Sequence, residues 1–204
     1  SKESRAVILA LALTELLSRS GERVGLVGGV PSTGRFASRK IAEILLSETA
    51  DESLPPPARF NRFSECILFS DFLEPIDELV ASFHRIASQG VRGHLVQILD
   101  PAEETLPYNG RTEFAASEGG ERLIAGRAED LRERYRKRLE RHRLDLQEAA
   151  RQLGWSFVLH HTDRPAEEVL LAVHGQLAGQ DRDYRYRAGR GSTTATPAAT
   201  GAGS

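Results

Sequence analysis

Short apolar runs that alternate with longer amphipathic segments constrain this chain more than any other feature. Four runs have the length and apolar character of buried strands, namely RVGLVG (23–28), CILFS (66–70), GHLVQIL (93–99) and WSFVLHH (155–161). The segments between them are long enough to contain helices that cross back over a sheet. This order predicts an α/β fold with an open, mostly parallel sheet and helices on both faces.

Apolar periodicity and the placement of proline and glycine locate the helices. The predicted helices cover residues 4–19, 36–47, 75–90, 127–153 and 165–178. We expect loops over 50–62 and 100–110, and a small hairpin within 111–125.

The length of 204 residues, 40% of them hydrophobic, is sufficient for one domain with a substantial core. We assign this domain to residues 1–178. Residues 179–204 are rich in Gly, Ala, Ser and Thr and lack apolar periodicity, so we predict a disordered tail.

Charge and cysteine usage narrow the class of partner and compartment. The net charge of −2 indicates no particular polyanionic partner. The longest apolar run, AVILALAL, is much shorter than the ~20 residues of a membrane span, so we expect no membrane partner. The single cysteine, Cys66, suits a reducing compartment, and we predict a cytoplasmic location.

The turn that follows RVGLVG raises the question of a phosphate-binding loop. Gly29 and Gly34 have the G-x-x-x-x-G spacing, but Arg35 and Phe36 stand where such a loop needs Lys and Ser or Thr. Phe cannot bind a metal ion, and Arg does not replace the compact charge of Lys. We therefore interpret the segment as a strand-to-helix turn.

Acidic residues follow three of the predicted strands. Asp71, Asp100 and Asp163 come after CILFS, GHLVQIL and WSFVLHH, and Glu103 lies close behind Asp100. Because parallel strands deliver their carboxyl ends to one edge, we predict that these four residues form an acidic rim. Two interpretations remain open: a Mg²⁺ site, or the capping of turns and helices, which is the more common role of Asp.

Two further motifs, a histidine pair and a basic segment, could bind a metal ion or a charged partner. His160 and His161 are adjacent on a strand and should face opposite sides, so they do not form a zinc pair. The segment 132–143 carries seven Arg or Lys against two Glu, and a polyanion or acidic partner could contact Arg132, Arg134, Arg136, Lys137 and Arg141. Nearby acids and the lack of an aromatic platform favour a solvated helix face over nucleic-acid binding.

Several longer stretches together resemble a known family. FSDFLEP, GVRGHLVQILDPAEETLPYNGRTEF, RERYRKRL and LGWSFVLHHTDRP look like the C-terminal region of the bacterial domain-of-unknown-function family fifty-eight. The resemblance covers most of residues 3–178. It implies a von Willebrand factor A-like (Rossmann-like) fold whose first central strand is missing from this chain.

The resemblance also implies a metal-ion-dependent adhesion site. Asp71 matches the aspartate after that fold's fourth strand, and Ser32 or Thr33 is the candidate for the loop hydroxyl. The D-x-S-x-S element of the family's first strand is missing here. Three of the metal's usual oxygen ligands are therefore absent from this chain, so we assign it no cofactor, and the resemblance allows Mg²⁺ in the intact protein.

The resemblance finally implies partnership with a MoxR-type AAA+ ATPase or with a client protein on which that ATPase acts. We expect a non-enzymatic interaction or adaptor domain, since no catalytic constellation stands out in the sequence. One alternative is a Mg²⁺-dependent enzyme of phosphoryl transfer or hydrolysis that uses the strand-end aspartates. The other is nucleic-acid binding through the Arg-rich helix.

Overall fold

The computed structural model describes residues 1–47, 54–105, 113–114, 123–124 and 128–190. Helices and strands alternate along most of this length. In chain order the elements are α1 (Lys2–Arg19), α2 (Arg35–Ser47), β1 (Glu65–Ser70), α3 (Ile76–Ala87), β2 (Arg92–Leu99), α4 (Pro101–Thr105), β3 (Glu113–Phe114), β4 (Leu123–Ile124), α5 (Ala128–Gln152), β5 (Ser156–His161) and α6 (Ala166–Arg190).

Strands β1, β2 and β5 form a parallel sheet in which β2 is central. One row across the sheet joins Leu68, Leu95 and Phe157. Strand β2 is buried along nearly its whole length, as expected for a strand that is covered on both faces. The predicted fold class, α/β with an open parallel sheet, is confirmed, and the carboxyl ends of the three strands share one edge.

Helices α3 and α5 cover one face of this sheet. Phe83 of α3 and Leu146 of α5 are fully buried in a cluster with Leu68 and Leu95 of the strands. Burial of a side chain of this size stabilises a fold by about 1.5–3 kcal/mol. The same cluster contains Cys66, which is buried as the sequence suggests, and burial raises the pKa of its thiol to about 11.

Helices α1 and α6 cover the opposite face. Leu9 of α1 and Val173 of α6 are buried with Val96 and Ile98 of β2. The two faces of β2 therefore contribute to separate apolar clusters, because successive side chains of a strand point to opposite sides. The result is a three-layer arrangement in which the sheet lies between two pairs of helices.

The predicted strand RVGLVG is not part of the sheet. Its only strand-like feature among the described residues is an isolated antiparallel bridge between Val24 and Ser32. Glycine explains the difference: Gly28 has φ of +82°, which turns the chain, and a Cβ on Gly25 would lie 2.9 Å from Cα of Pro31. The prediction of a buried strand here is wrong, and the segment is a tight loop that leads to α2.

Other boundaries differ by smaller amounts. The predicted loop 100–110 contains the short helix α4, and the predicted hairpin is confirmed because Glu113 and Phe114 pair with Ile124 and Leu123. Helix α6 continues to Arg190, beyond the boundary we placed at 178. The rest of the predicted tail, 191–204, and the segments 48–53 and 106–112 lie outside the described residues.

A membrane crossing finds no support in the helices of the described part. None of them combines the length and the apolar character that such a crossing needs.

Candidate functional site

The carboxyl edge of the sheet brings two of the predicted acidic residues to a single cation. Nζ of Lys2, in the first turn of α1, lies 2.7 Å from Oδ2 of Asp71 and 2.7 Å from Oε1 of Glu103. Burial alone would lower the pKa of Lys2, but the hydrogen bonds and charges of the two carboxylates outweigh it, and the pKa is raised. Lys2 thus links Asp71, which follows β1, to Glu103 of α4.

The backbone that presents Asp71 is held from several sides. Phe72 has φ of +51°, a left-handed conformation that is unusual for a bulky residue. Its N–H donates to Oγ of Ser70 at 3.1 Å, and its carbonyl accepts from Nε2 of His142 at 2.6 Å. Nε2 of Gln97 donates to the carbonyl of Asp71 at 2.8 Å. Such strain persists only where the surroundings enforce it, so the Asp71–Phe72 turn is fixed before any ligand arrives.

A second ionic cluster lies beside the first. Glu104 of α4 accepts from Nε2 of His161 at 2.7 Å and also from the guanidinium of Arg143. Burial would raise the pKa of Glu104, but these two hydrogen bonds outweigh burial and lower it. The cluster joins α4, α5 and β5 at the same edge as Lys2.

Asp100 has the turn-forming role that competed with metal binding in the sequence. Its Oδ1 accepts from the backbone N–H of Ala102 at 2.9 Å, and its Oδ2 accepts from the hydroxyl of Thr162 at 3.2 Å. Asp163 is exposed, and within the described part its carboxylate bonds to no member of the acidic rim. The structure therefore brings Asp71 and Glu103 together, holds Asp100 in a turn beside them and leaves Asp163 apart.

A complete metal site does not form from the described residues. No group of three His, Cys, Asp or Glu among them is placed to hold a metal ion. Ser32 bonds through its backbone to Val24, and neither Ser32 nor Thr33 has a side-chain hydrogen bond to Asp71 in the described part. Lys2 instead supplies the positive charge at Asp71, so the residues present do not fit a Mg²⁺ ion without Lys2 moving away.

The histidine pair is split between the two faces, as the strand period predicts. His160 is buried, and burial, followed by the charges of Arg5 and His161, lowers its pKa. His161 is half-buried and bonds to Glu104 on the other side of the strand. A zinc pair is excluded for these two residues.

The Arg-rich part of α5 has both paired and unpaired cations. Lys137 pairs with Glu133 at 3.2 Å, and Arg141 pairs with Asp145 at 3.4 Å. Arg134, Arg136 and Arg138 are exposed, and none of the three has an ion pair with a described residue. Arg132 is half-buried, so the outward basic surface of α5 is smaller than the sequence suggests.

The sequence pattern did not identify several residues of this edge. They are Lys2, Glu104, Tyr135, His142 and Arg143. The adjacent acids Glu103 and Glu104 are a signal in the sequence that could have pointed to Glu104. In the structure, Glu103 bonds to Lys2, and Glu104 bonds to Arg143 and His161. Tyr135 lies near the same carboxylates, and burial together with the charge of Glu103 raises its pKa.

Comparison with protein families identifies a match to this chain. The family described as Protein of unknown function DUF58 matches residues 1–145, which include both ionic clusters except His161. No curated protein and no solved structure matches the chain.

Proposed function

The chain belongs to the DUF58 family, whose function is unknown, and we propose that it is a protein-interaction or adaptor domain rather than an enzyme. Its proposed partner is a MoxR-type AAA+ ATPase of the bacterial cytoplasm, and its proposed contact surface is the carboxyl edge of the sheet. The von Willebrand factor A-like fold that the resemblance implies is part of this proposal.

The observation that carries the proposal is the internal pairing of charges at this edge. Lys2, Asp71 and Glu103 keep 27%, 28% and 35% of their side chains exposed, yet each already bonds within the cluster. Paired and partly exposed charges on a rigid turn suit recognition of a complementary surface, which gains specificity from them. General acid or base catalysis instead needs a group that is free to exchange a proton with a substrate.

A binding experiment tests the proposal. The purified chain is titrated with the purified MoxR-type ATPase of the same bacterium, and binding is measured by calorimetry. Lys2→Glu reverses the charge between Asp71 and Glu103, and we expect it to weaken binding at least tenfold. Arg39→Glu is the matched control, because the ion pair of Arg39 within the described part of the chain is with Glu43 of α2, and both side chains are exposed. If the wild-type chain does not bind the ATPase, the adaptor proposal is wrong.

The Mg²⁺-dependent enzyme gains no specific support from the described residues. It requires Asp71, Asp100 and Glu103 around one ion at ~2.0–2.6 Å. Asp71 and Glu103 meet at Lys2, while both oxygens of Asp100 bond to Ala102 and Thr162.

A second candidate function, contact with a polyanion, has one observation in its favour. Arg134 and Arg138 are exposed, lie four residues apart on α5 and have no ion pair with a described residue. Positions four apart share one side of a helix, so the two guanidinium groups can reach neighbouring phosphates.

A further inference from the structure

Three side chains form a hydrogen-bonded row at the opposite, amino edge of the sheet. Nε2 of His94 lies 2.7 Å from Oε2 of Glu65, and its Nδ1 lies 2.7 Å from Oγ of Ser156. The three residues come from β1, β2 and β5. His94 and Ser156 are directly paired in the register, whereas Glu65 pairs with Arg92 and reaches His94 diagonally. None of them takes part in the acidic rim or in the proposed adaptor surface.

The acceptor chemistry of Glu65 determines the direction of these bonds. An ionised carboxylate only accepts, so Nε2 of His94 carries a proton and donates it to Glu65. When the imidazole is neutral, Nδ1 is then the acceptor, and the hydroxyl of Ser156 donates to it. This is the arrangement of a nucleophile, a base and a group that orients the base.

Burial differs along the row in a way that suits this chemistry. The side chain of His94 is 1% exposed, whereas that of Glu65 is 33% exposed and Ser156 is half-buried. The base is therefore shielded from water, while Ser156 as a residue keeps partial contact with the surface. Nη1 of Arg92 lies 3.8 Å from the other carboxylate oxygen of Glu65, Oε1.

We propose that Ser156 is an activated nucleophile and a site of covalent acylation by small activated esters. Oγ of Ser156 bonds to the acyl carbon, and its proton passes to Nδ1 of His94. The bond from the acyl carbon to the leaving oxygen breaks, and the departing oxygen takes the proton from His94. Turnover would also need donors for an oxyanion, so the expected product is a stable stoichiometric adduct.

Chemical labelling with mass spectrometry tests this proposal. The full chain is treated with p-nitrophenyl acetate and, separately, with a fluorophosphonate probe, and the modified peptide is identified. The test variants are Ser156→Ala, His94→Gln and Glu65→Gln. Ser88→Ala is the matched control, because Ser88 is an exposed serine whose hydroxyl donates to the backbone carbonyl of Arg85.

We expect both reagents to modify Ser156 in the wild type and in Ser88→Ala, and Ser156→Ala to lose the adduct. General-base assistance is worth about 10²–10⁴-fold, so His94→Gln should slow labelling by at least about 100-fold. Glu65→Gln should slow it by up to about 10⁴-fold, because the carboxylate no longer fixes the tautomer and orientation of His94. Circular dichroism confirms that each variant is folded, and Glu65→Gln, on a partly exposed side chain, keeps the test available if His94→Gln unfolds.

If the row of Glu65, His94 and Ser156 has only a structural role, the labelling experiment gives a different result. If folded wild-type protein forms no adduct at Ser156, or labels Ser88 equally fast, the proposal is wrong. The same holds if folded Glu65→Gln labels at the wild-type rate. Binding of the ATPase is measured separately, so failure of this proposal leaves the adaptor proposal standing.

Discussion

The ammonium of Lys2 and the carboxylate of Asp71 lie 2.7 Å apart, although 69 residues separate them in the chain. Lys2 begins α1 on one face of the sheet, and Asp71 follows the last residue of β1. Their contact, together with that from Lys2 to Glu103, connects the first turn of the chain to the carboxyl ends of two strands. The edge is therefore assembled by tertiary folding and not by any local motif.

Replacing Lys2 tests the energetic weight of this connection. Lys2→Ala should lower the free energy of unfolding by about 1 kcal/mol, because two partly buried carboxylates lose their counter-ion. Urea denaturation measures the loss. Arg39→Ala removes an exposed pair in α2 and should lower it by only about 0.3–0.5 kcal/mol. Equal losses in the two variants would contradict the special position of Lys2.

Replacing His142 tests the hydrogen bond that its side chain donates to the carbonyl of Phe72. His142→Ala removes the donor to the Phe72 carbonyl and should lower the free energy of unfolding by about 1–2 kcal/mol, because a half-buried carbonyl loses its partner. His142→Gln retains an N–H donor and should recover part of the loss. His174→Ala, on an exposed position of α6, should change stability by less than about 0.5 kcal/mol. Urea denaturation of the three variants measures these changes. It distinguishes the loss of one hydrogen bond from a general effect of removing a histidine.

Continuous apolar runs made the sheet predictable from sequence. Strands β1, β2 and β5 are each covered on two faces, and each contains consecutive apolar residues, such as CILF in β1 and FVL in β5. The proximity of Asp71 and Glu103 followed from the same logic, because parallel strands end at one edge. RVGLVG had a similar composition, but Gly25 and Gly28 favour a turn that apolar content alone does not reveal.

The polar contacts were not predictable, since each depends on a distant partner. His94 and Ser156 are 62 residues apart, and His142 reaches a carbonyl 70 residues away. Every residue has a backbone carbonyl, so the side chain of the accepting residue does not indicate that such a hydrogen bond will form. Lys2 likewise resembles any exposed lysine in a first helical turn until the fold places it between two acids.

The lowered pKa of Glu104 predicts how stability depends on pH. A carboxyl whose folded pKa lies below its unfolded value contributes stability above the unfolded value and loses it as pH falls through the folded one. The contribution should be complete above about pH 4.5, the ordinary value, and should vanish below it as Glu104 takes up a proton. Thermal melts of the wild type and Glu104→Gln should thus converge as pH falls below this value. Glu22→Gln, on an exposed residue, should parallel the wild type at every pH.

Gly93 is required by the indole of Trp155. A Cβ at this position would lie 2.1 Å from Cδ2 and Cε3 of the ring, which packs 5.7 Å from Phe83. Gly93→Ala should lower the free energy of unfolding by about 3 kcal/mol, because neither the central strand nor the buried ring has room to move. Gly175→Ala meets nothing within 4 Å and should stabilise α6 by about 0.5–1 kcal/mol. The fluorescence of Trp155, the single tryptophan, monitors both melts.

Salt dependence tests the contact of α5 with a polyanion. If Arg134 and Arg138 each neutralise one phosphate of a short DNA duplex, affinity should fall roughly tenfold between about 50 and about 200 mM salt. Arg134→Glu with Arg138→Glu should abolish binding, since like charges then face the phosphates. Arg151→Glu is the control on the same helix, because Arg151 is already neutralised by Glu148 at 2.7 Å. Fluorescence anisotropy follows the binding, and an affinity that does not change with salt would exclude this surface as a nucleic-acid contact.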